Sequence, residues 1–404
     1  MKKKKKKINF GWIISITGGI NGFVSSGPTF FASSTIFRAV EDEFGWSRTL
    51  VSGVASFGRF GGALFGPIEG WLIDRFGVGK MVFIGFSLAG LGLIYFSFIQ
   101  KPIHYYISFF LIALGFSVGG FTPSITAVNS WMTKNKATAM SIVIGGSVLG
   151  GFSAPILVWG MESLGWRSTM FIFGIITLIL GPITAIILNK KPPIEKNDPD
   201  IKIVKVNKDF TTKEALKNTS FWSLTLGHMF VNASLSAIMA HIFLYLTDSN
   251  GLNLQPEIAS TIIPIMAVFS LIFHIIGGIL GDIYNKRLLS SIFISIQGIS
   301  IIILIFANSF YSIMFFAVIW GIGYGVRTPL IHAMRGEYFG KKHFATITGF
   351  SSMIVAISMV STPILVGRYY DIYKSYDGAF LIVSTFCFLS SLVILFARNP
   401  NTNK

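Results

Sequence analysis

The 404-residue chain carries little charge for its length. Only 12% of its residues are Asp, Glu, Lys or Arg, whereas 52% are hydrophobic. A soluble domain carries about 25% charged residues, so this chain has too few to cover a water-exposed surface. Its one cysteine, Cys387, lies in an apolar stretch and cannot form an intrachain disulfide, so we interpret it as a small core residue. The shortage of charge indicates a membrane protein.

Motifs of the common enzyme classes are also missing. The chain contains no Gly-x-x-x-x-Gly-Lys-Ser/Thr phosphate loop and no His-Glu-x-x-His zinc motif. Too little polar chain remains outside the apolar stretches to form a catalytic domain. We therefore predict that the protein is not an enzyme and that it needs no cofactor and no metal.

Acidic residues are scarce, with 17 Asp and Glu against 33 Lys and Arg. We assign 25 of these basic residues to one set of boundaries between apolar stretches and six to the opposite set. Cytoplasmic loops carry an excess of Lys and Arg, so both termini are predicted to be cytoplasmic. The Lys2–Lys7 run is then expected to contact anionic lipid and not nucleic acid.

Apolar stretches long enough for a spanning helix, which needs ~20 residues, occur twelve times. The first group lies at residues 10–36, 46–73, 80–99, 103–131, 137–161 and 167–189. The second group lies at residues 219–247, 256–280, 288–307, 311–338, 344–369 and 377–397. The intervening segment is polar and contains helix-breaking prolines. We therefore predict an N-terminal bundle (1–189), a cytoplasmic linker (190–218) and a C-terminal bundle (219–404).

The two groups are related in sequence. Gly70–Asp74 recurs as Gly278–Asp282, and Pro155–Val158 recurs as Pro363–Val366 at the same offset. The fourth and tenth stretches also align at nearly that offset, with matching Gly, Thr and Pro. Parallel repeats of this kind are typical of transporters whose substrate path lies between two bundles. The predicted fold is an all-α membrane protein with two pseudo-symmetric six-helix bundles.

A glycine- and charge-containing motif follows the second apolar stretch. It reads Gly-x-x-x-Asp-Arg-x-Gly-x-x-basic, and its residues are Gly70, Asp74, Arg75, Gly77 and Lys80. With this motif the chain resembles the major facilitator superfamily over essentially its whole length. The resemblance implies twelve helices, alternating access and a conformational gate at this loop.

The second half contains a partial copy of the motif. The further gate candidates on this side are Asp282, Lys286, Arg287, Arg335 and Glu337. Asn285 stands at the position that corresponds to Gly77. Because Asn is the residue that best tolerates positive φ after Gly, we expect the same tight reversal there.

Shorter features are similar to those of the monocarboxylate transporter and oxalate/formate antiporter branch of that superfamily. They are Phe44–Arg48, Gly165–Arg167, Trp131–Lys136 and Tyr338–Lys342. The branch implies uptake or exchange of small organic carboxylates. The chain departs from it at His274, where the monocarboxylate relatives have an Arg, and it lacks the Lys that the oxalate exchangers have in the eleventh stretch. The identity of the substrate therefore does not carry over.

Two arginines lie inside predicted spans, where charge is costly and usually functional. Arg59 and Arg327 each fall near the middle of a ~30 Å apolar core, and neither is repeated in the other half. A planar guanidinium binds a carboxylate through two parallel hydrogen bonds. We predict that Arg327 and Arg59 bind an anionic substrate, with His274 and Tyr324 as further contacts. A structural role for each Arg, as a donor to free backbone carbonyls, is the alternative.

Proton coupling requires a group that can exchange a proton within the span. His274 and Glu69 are our candidates. The alternative for His274 is a hydrogen-bonded structural role, and the alternative for Glu69 is an ion pair at the cytoplasmic gate. The leading hypothesis is a secondary transporter of a small mono- or dicarboxylate, driven by H⁺ or by exchange. An exporter of hydrophobic or drug-like compounds and a non-transporting nutrient sensor are the alternatives. We expect a monomeric, multi-pass protein of the plasma or inner membrane.

Overall fold

The computed structural model describes residues 10–27, 33–47, 50–51, 65–192, 209–248 and 253–401. The regular structure within these ranges is entirely helical. The predicted all-α class is therefore confirmed.

Nine α-helices occur in the described residues up to 192. They are α1 (Phe10–Ser26), α2 (Ser33–Phe44), α3 (65–76), α4 (Val78–Ser97), α5 (Pro102–Gly119), α6 (Phe121–Trp131), α7 (Lys136–Leu149), α8 (Ser153–Leu164) and α9 (Trp166–Leu188). A 3₁₀ turn, Gly150–Phe152, joins α7 to α8. Helices α5 and α6 meet at Gly120. The pair α5 and α6 therefore forms one long span, and so does the pair α7 and α8.

Eight further α-helices occur from residue 209 onward in the described part of the chain. They are α10 (Thr212–Leu216), α11 (Thr219–Thr247), α12 (Pro256–Ala259), α13 (Ile262–Ile283), α14 (Lys286–Ile305), α15 (Phe310–Phe339), α16 (Phe344–Tyr373) and α17 (Asp377–Leu395). Helix α13 packs against α15, α14 packs against α15 and α17, and α11 packs against α16 and α17.

Ten helical segments of the described chain are long and apolar enough to cross a membrane. They correspond to the third to twelfth predicted spans. The eighth begins later than predicted, at Ile262, because Pro256–Ala259 forms a separate turn. The first two predicted spans, 10–36 and 46–73, include residues outside the described ranges, so the count of twelve stays a prediction.

One helix contradicts the predicted end of the first span. Residues Ser33–Phe44 form the separate helix α2, whose polar side chains include an Arg38–Asp42 ion pair of 3.8 Å. Helix α2 therefore runs through the predicted end at residue 36.

The contacts divide the chain into two compact units, residues 1–54 with 75–202, and residues 55–74 with 203–404. The predicted organisation placed 55–74 in the first bundle. The described part of that segment belongs to α3, which packs against α16 of the second unit. Gly66 lies against Gly349, and Gly70 lies against Ala345, so closely that a Cβ at either α3 position would overlap the α16 backbone. Small residues spaced four apart allow this approach of two helix backbones.

Glycines that match between the two sequence repeats serve close packing within each unit. Gly115 and Gly119 of α5 lie against the backbone of α4 at Gly85. Their repeat partners, Gly321 and Gly325, lie against α13. The repeat signal therefore reflects helix contacts inside each unit.

Candidate functional site

A buried polar cluster surrounds Arg327 in the second unit. Helix α15 presents Trp320, Tyr324 and Arg327 on one face because these residues are four and three positions apart. The side chain of Arg327 has 0% exposed surface. It lies about 18 Å along the helix from Phe339, which places it near the middle of an apolar layer of ~30 Å.

One nitrogen of the Arg327 guanidinium is anchored and the other two are not. Its Nε donates to Oε1 of Gln297 at 2.8 Å, and its Cζ lies 5.1 Å from the centroid of the Tyr324 ring. Nη1 and Nη2 are buried and have no hydrogen-bond partner among the described residues. No carboxylate of the described chain forms an ion pair with this group. The guanidinium thus presents the edge that binds a carboxylate through two parallel bonds.

His274 lies on α13 at the same cluster. Its Nδ1 contacts the carbonyl oxygen of Ser270 at 2.5 Å, and its ring meets that of Tyr324 edge-on with 5.3 Å between centroids. A carbonyl oxygen only accepts, so Nδ1 carries the hydrogen and Nε2 of the neutral ring is an acceptor. This Nε2 is buried without a partner in the described residues.

The structure thus brings together three of the predicted substrate residues, Arg327, His274 and Tyr324. Tyr324 keeps some exposed surface, whereas Arg327 and His274 have none. The sequence reasoning missed Gln297 and Trp320, whose Nε2 and Nε1 are also buried without partners in the described chain. For Gln297 the sequence signal was a single Gln within the apolar helix α14.

Two predicted residues remain, the substrate candidate Arg59 and the coupling candidate Glu69. Arg59 falls outside the described residues, so its prediction is neither supported nor opposed. Glu69 is 6% exposed and lies on α3 next to Gly70, in the helix that packs against α16.

Asp74, at the end of α3, caps the start of α16. Its carboxylate accepts the backbone N–H groups of Ala345 (3.2 Å) and Thr346 (2.8 Å) and the hydroxyl of Thr346 (2.5 Å). The residue before α16, His343, provides no side-chain cap of its own. Backbone N–H groups of a first helical turn have no partner within the helix, and a carboxylate also suits the positive end of the dipole.

The loop after Asp74 has the backbone that the motif predicts. Gly77 has φ 88°, a conformation that a residue with a Cβ rarely adopts. The side chains of Arg75 and Lys80 are exposed, and the Arg75 guanidinium lies 5.5 Å from the ring of Phe76.

At the partial copy of the motif, the chain changes direction in a different way. The expectation that Asn285 takes a positive φ is wrong, because its φ is −64°. Its side chain instead accepts the N–H groups of Arg287 (3.0 Å) and Leu288 (3.3 Å) and so caps α14. Asn can satisfy these unpaired donors, whereas glycine has no side chain with which to do so.

The other gate candidates have separate surroundings. Lys286 forms an ion pair with Glu337 at 2.9 Å. Asp282, which is partly buried, lies four residues before Lys286 in the sequence. Arg335 does not share that ion pair. It is 1% exposed and donates through Nη2 to Nδ1 of His228 (2.9 Å) and Oγ of Ser351 (2.6 Å).

The end of the predicted linker also reaches the α15–α16 turn. Oδ1 of Asp209 accepts the N–H groups of Lys341 (2.6 Å) and Lys342 (3.3 Å). The next residue, Phe210, donates its N–H to the carbonyl of Phe339 at 3.1 Å. Sequence reasoning missed this contact, since one Asp in a polar segment carries no signal of its partner.

A cluster in the first unit explains one of the shared sequence features. Arg167 donates to Glu43 at 2.6 Å and to the carbonyls of Ser97 (2.8 Å) and Ile99 (3.0 Å), while Trp166 Nε1 donates to Glu43 at 2.6 Å. The Gly165–Arg167 feature therefore ties α2, α4 and α9 together at one end of this unit.

Comparison with known proteins agrees with this architecture. The family model of the Major Facilitator Superfamily matches residues 14–288 and 246–404. Monocarboxylate transporter 13 of Rattus norvegicus is 23% identical, over 96% of this chain and 88% of that protein. Monocarboxylate transporter 12 of the same species is 26% identical, over 78% of this chain and 71% of that protein. The crystal structure of a variant of the E. coli fucose:proton symporter FucP is similar in fold, with a TM-score of 0.74 and 12% identity, covering 96% of this chain and 99% of that one.

These matches confirm the resemblance inferred from the loop motif and the prediction that the protein is not an enzyme. The apolar helices and the family match identify an integral membrane protein that transports small molecules. The chain belongs to the major facilitator superfamily.

Proposed function

We propose that this protein is a secondary active transporter of a small organic anion, a mono- or dicarboxylate, and that Arg327 binds the carboxylate. The single observation that carries the proposal is the anchored guanidinium with a free terminal edge. Gln297 fixes Nε, so Nη1 and Nη2 stay oriented together for a planar ligand. Preorganisation of this kind lowers the entropic cost of binding.

The charge of the cluster favours an anion over the alternative substrates. A buried guanidinium that lacks a carboxylate partner costs several kcal/mol, about 3 kcal/mol on insertion scales. A bound carboxylate would remove that cost, whereas a cationic or purely apolar compound would not. Two of the similar proteins are named as monocarboxylate transporters, which agrees with this class.

The contact between α3 and α16 supports a conformational gate. We infer that Asp74 and Gly70 hold α3 against α16 in one state and release it in another. The exposed basic residues Arg75 and Lys80 would then face the aqueous side of this gate. The Lys286–Glu337 ion pair, with Asp282 and Arg287 beside it, would stabilise the neighbouring inner end of α13 to α15.

Equilibrium binding to Arg327→Gln protein tests the substrate site. The purified protein is first screened for thermal stabilisation by monocarboxylates, dicarboxylates, amines and sugars, and the best ligand is then titrated. We expect Arg327→Gln to abolish binding of the anionic ligand, and Arg327→Lys to weaken it because the planar fork is lost. Arg368→Gln, an exposed arginine of α16, is the matched control.

Wild-type affinity in a folded Arg327→Gln protein would overturn the assignment. Stabilisation by amines or apolar compounds, with none by carboxylates, would instead favour the exporter hypothesis.

A further inference from the structure

A second buried polar cluster lies in the second unit, away from Arg327. Three helices each contribute two residues spaced three apart, and such residues share a helix face. The pairs are Thr225 and His228 on α11, His332 and Arg335 on α15, and Thr348 and Ser351 on α16. All six side chains are at least nine-tenths buried.

Arg335 is held at one nitrogen only. Its Nη2 donates to Nδ1 of His228 (2.9 Å) and to Oγ of Ser351 (2.6 Å), and Ser351 also accepts from Thr225 at 3.0 Å. Because an arginine N–H can only donate, Nδ1 of His228 accepts, and the ring is neutral. The His228 and His332 rings meet at 85° with 5.6 Å between centroids.

Several donors of this cluster remain without a partner. Nε and Nη1 of Arg335, and the hydroxyl of Thr348, have no hydrogen bond among the described residues. Thr348 precedes Ser351 by one turn on the same face of α16. No carboxylate of the described chain forms an ion pair with Arg335. The cluster therefore combines a buried positive charge with free donors, an arrangement that is normally compensated by an anion.

The occupied nitrogen restricts the shape of that anion. Bidentate binding of a carboxylate needs two adjacent guanidinium nitrogens that both have a free N–H. Nη2 belongs to both of the two-nitrogen edges, and both of its hydrogens are used by His228 and Ser351. The free Nε and Nη1 lie on opposite sides of it. A small, spherical anion that accepts from one nitrogen and a hydroxyl fits these donors better than a planar one.

We propose that Arg335, with Thr348, binds a small inorganic anion of the chloride class at a site separate from the carboxylate site at Arg327. The two arginines are eight residues apart on α15, about 12 Å along the axis. The site would neutralise the buried charge of Arg335 and so stabilise the junction of α11, α15 and α16. The inference does not depend on which substrate is transported.

Chloride titration of the purified full-length protein tests the site. Sodium chloride replaces sodium methanesulfonate at constant ionic strength, and the thermal unfolding midpoint is recorded. In the wild type the midpoint should rise and saturate with chloride, as expected for a ligand that binds the folded state. Arg335→Gln should lose the whole increment, whereas Arg327→Gln and the exposed-residue control Arg398→Gln should keep it.

Separate outcomes distinguish this site from the substrate site. An equal chloride increment in Arg335→Gln, or none in the wild type, overturns the proposal and leaves the carboxylate site untouched. If Arg335→Gln does not fold, Thr348→Val serves instead, and it should raise the half-saturating chloride concentration. Competition between acetate and chloride in the Arg327→Gln variant would show that Arg335 also takes carboxylates, which contradicts the predicted selectivity.

Discussion

Removing the Asp74 carboxylate should loosen the contact between α3 and α16. The carboxylate accepts two backbone N–H groups and one hydroxyl of the first turn of α16. Loss of a helix cap costs about 0.5–2 kcal/mol, and a hydrogen bond to a charged group contributes about 1.5–3 kcal/mol. The donors return to water when the helices separate, so we estimate that Asp74→Ala weakens the contact by about 2 kcal/mol, roughly 30-fold.

Hydrogen–deuterium exchange of the α16 first turn measures this change directly. In Asp74→Ala the amides of Ala345 and Thr346 should exchange roughly 30-fold faster, which is the estimated weakening of the contact. Asp74→Asn keeps one acceptor oxygen and should give a smaller increase. Asp371→Asn removes the same charge from an exposed position of α16 and should have no effect. Unchanged exchange at these amides in folded Asp74→Ala would refute the capping argument.

Three further predictions address topology, coupling and the linker. Reporter fusions at either terminus should report a cytoplasmic location, and an extracytoplasmic C-terminus would contradict the twelve-span count. His274→Gln or Glu69→Gln should flatten the pH dependence of uptake while leaving exchange largely intact; unchanged pH dependence in both would point to coupling without these groups. Asp209→Asn should speed amide exchange at Lys341 and Lys342 but not at Thr346, and an equal change at all three would mean that the turn opens as one piece.

Hydropathy was sufficient to locate most of the membrane helices but not the partners of their polar residues. Ten predicted spans recur because ~20 apolar residues in a row leave no other stable arrangement in a bilayer. The sequence also made Arg335 and Glu337 gate candidates together, although the two contact different helices and have different partners. Helix rotation decides which side chains meet, and sequence position along one helix does not reveal the neighbouring helix.

The site was predictable in part for the same reason. An arginine in an apolar span is a functional signal by its cost alone, and Arg327 was found in this way. Its anchor, Gln297, is uncharged and lies on another helix, so its role depends on the packing of α14 against α15. The prediction for Asn285 failed for a different reason. An Asn can adopt a left-handed turn or cap a helix, and here its side chain caps the unpaired N–H donors of α14.

The turn between α15 and α16 is where two separate segments supply carboxylates to one stretch of backbone. Asp209 accepts from Lys341 and Lys342, and Asp74 accepts from Ala345 and Thr346. Gly340, with φ 85°, begins the turn beside Asp209, where a Cβ would overlap that side chain. In the proposed gate, release of α3 from α16 would break only the Asp74 half of these bonds, because Asp209 lies in a different segment of the chain. We therefore expect the Asp209 contacts to keep the turn folded during such a release, so that the cost of opening would be limited to the contacts of α3.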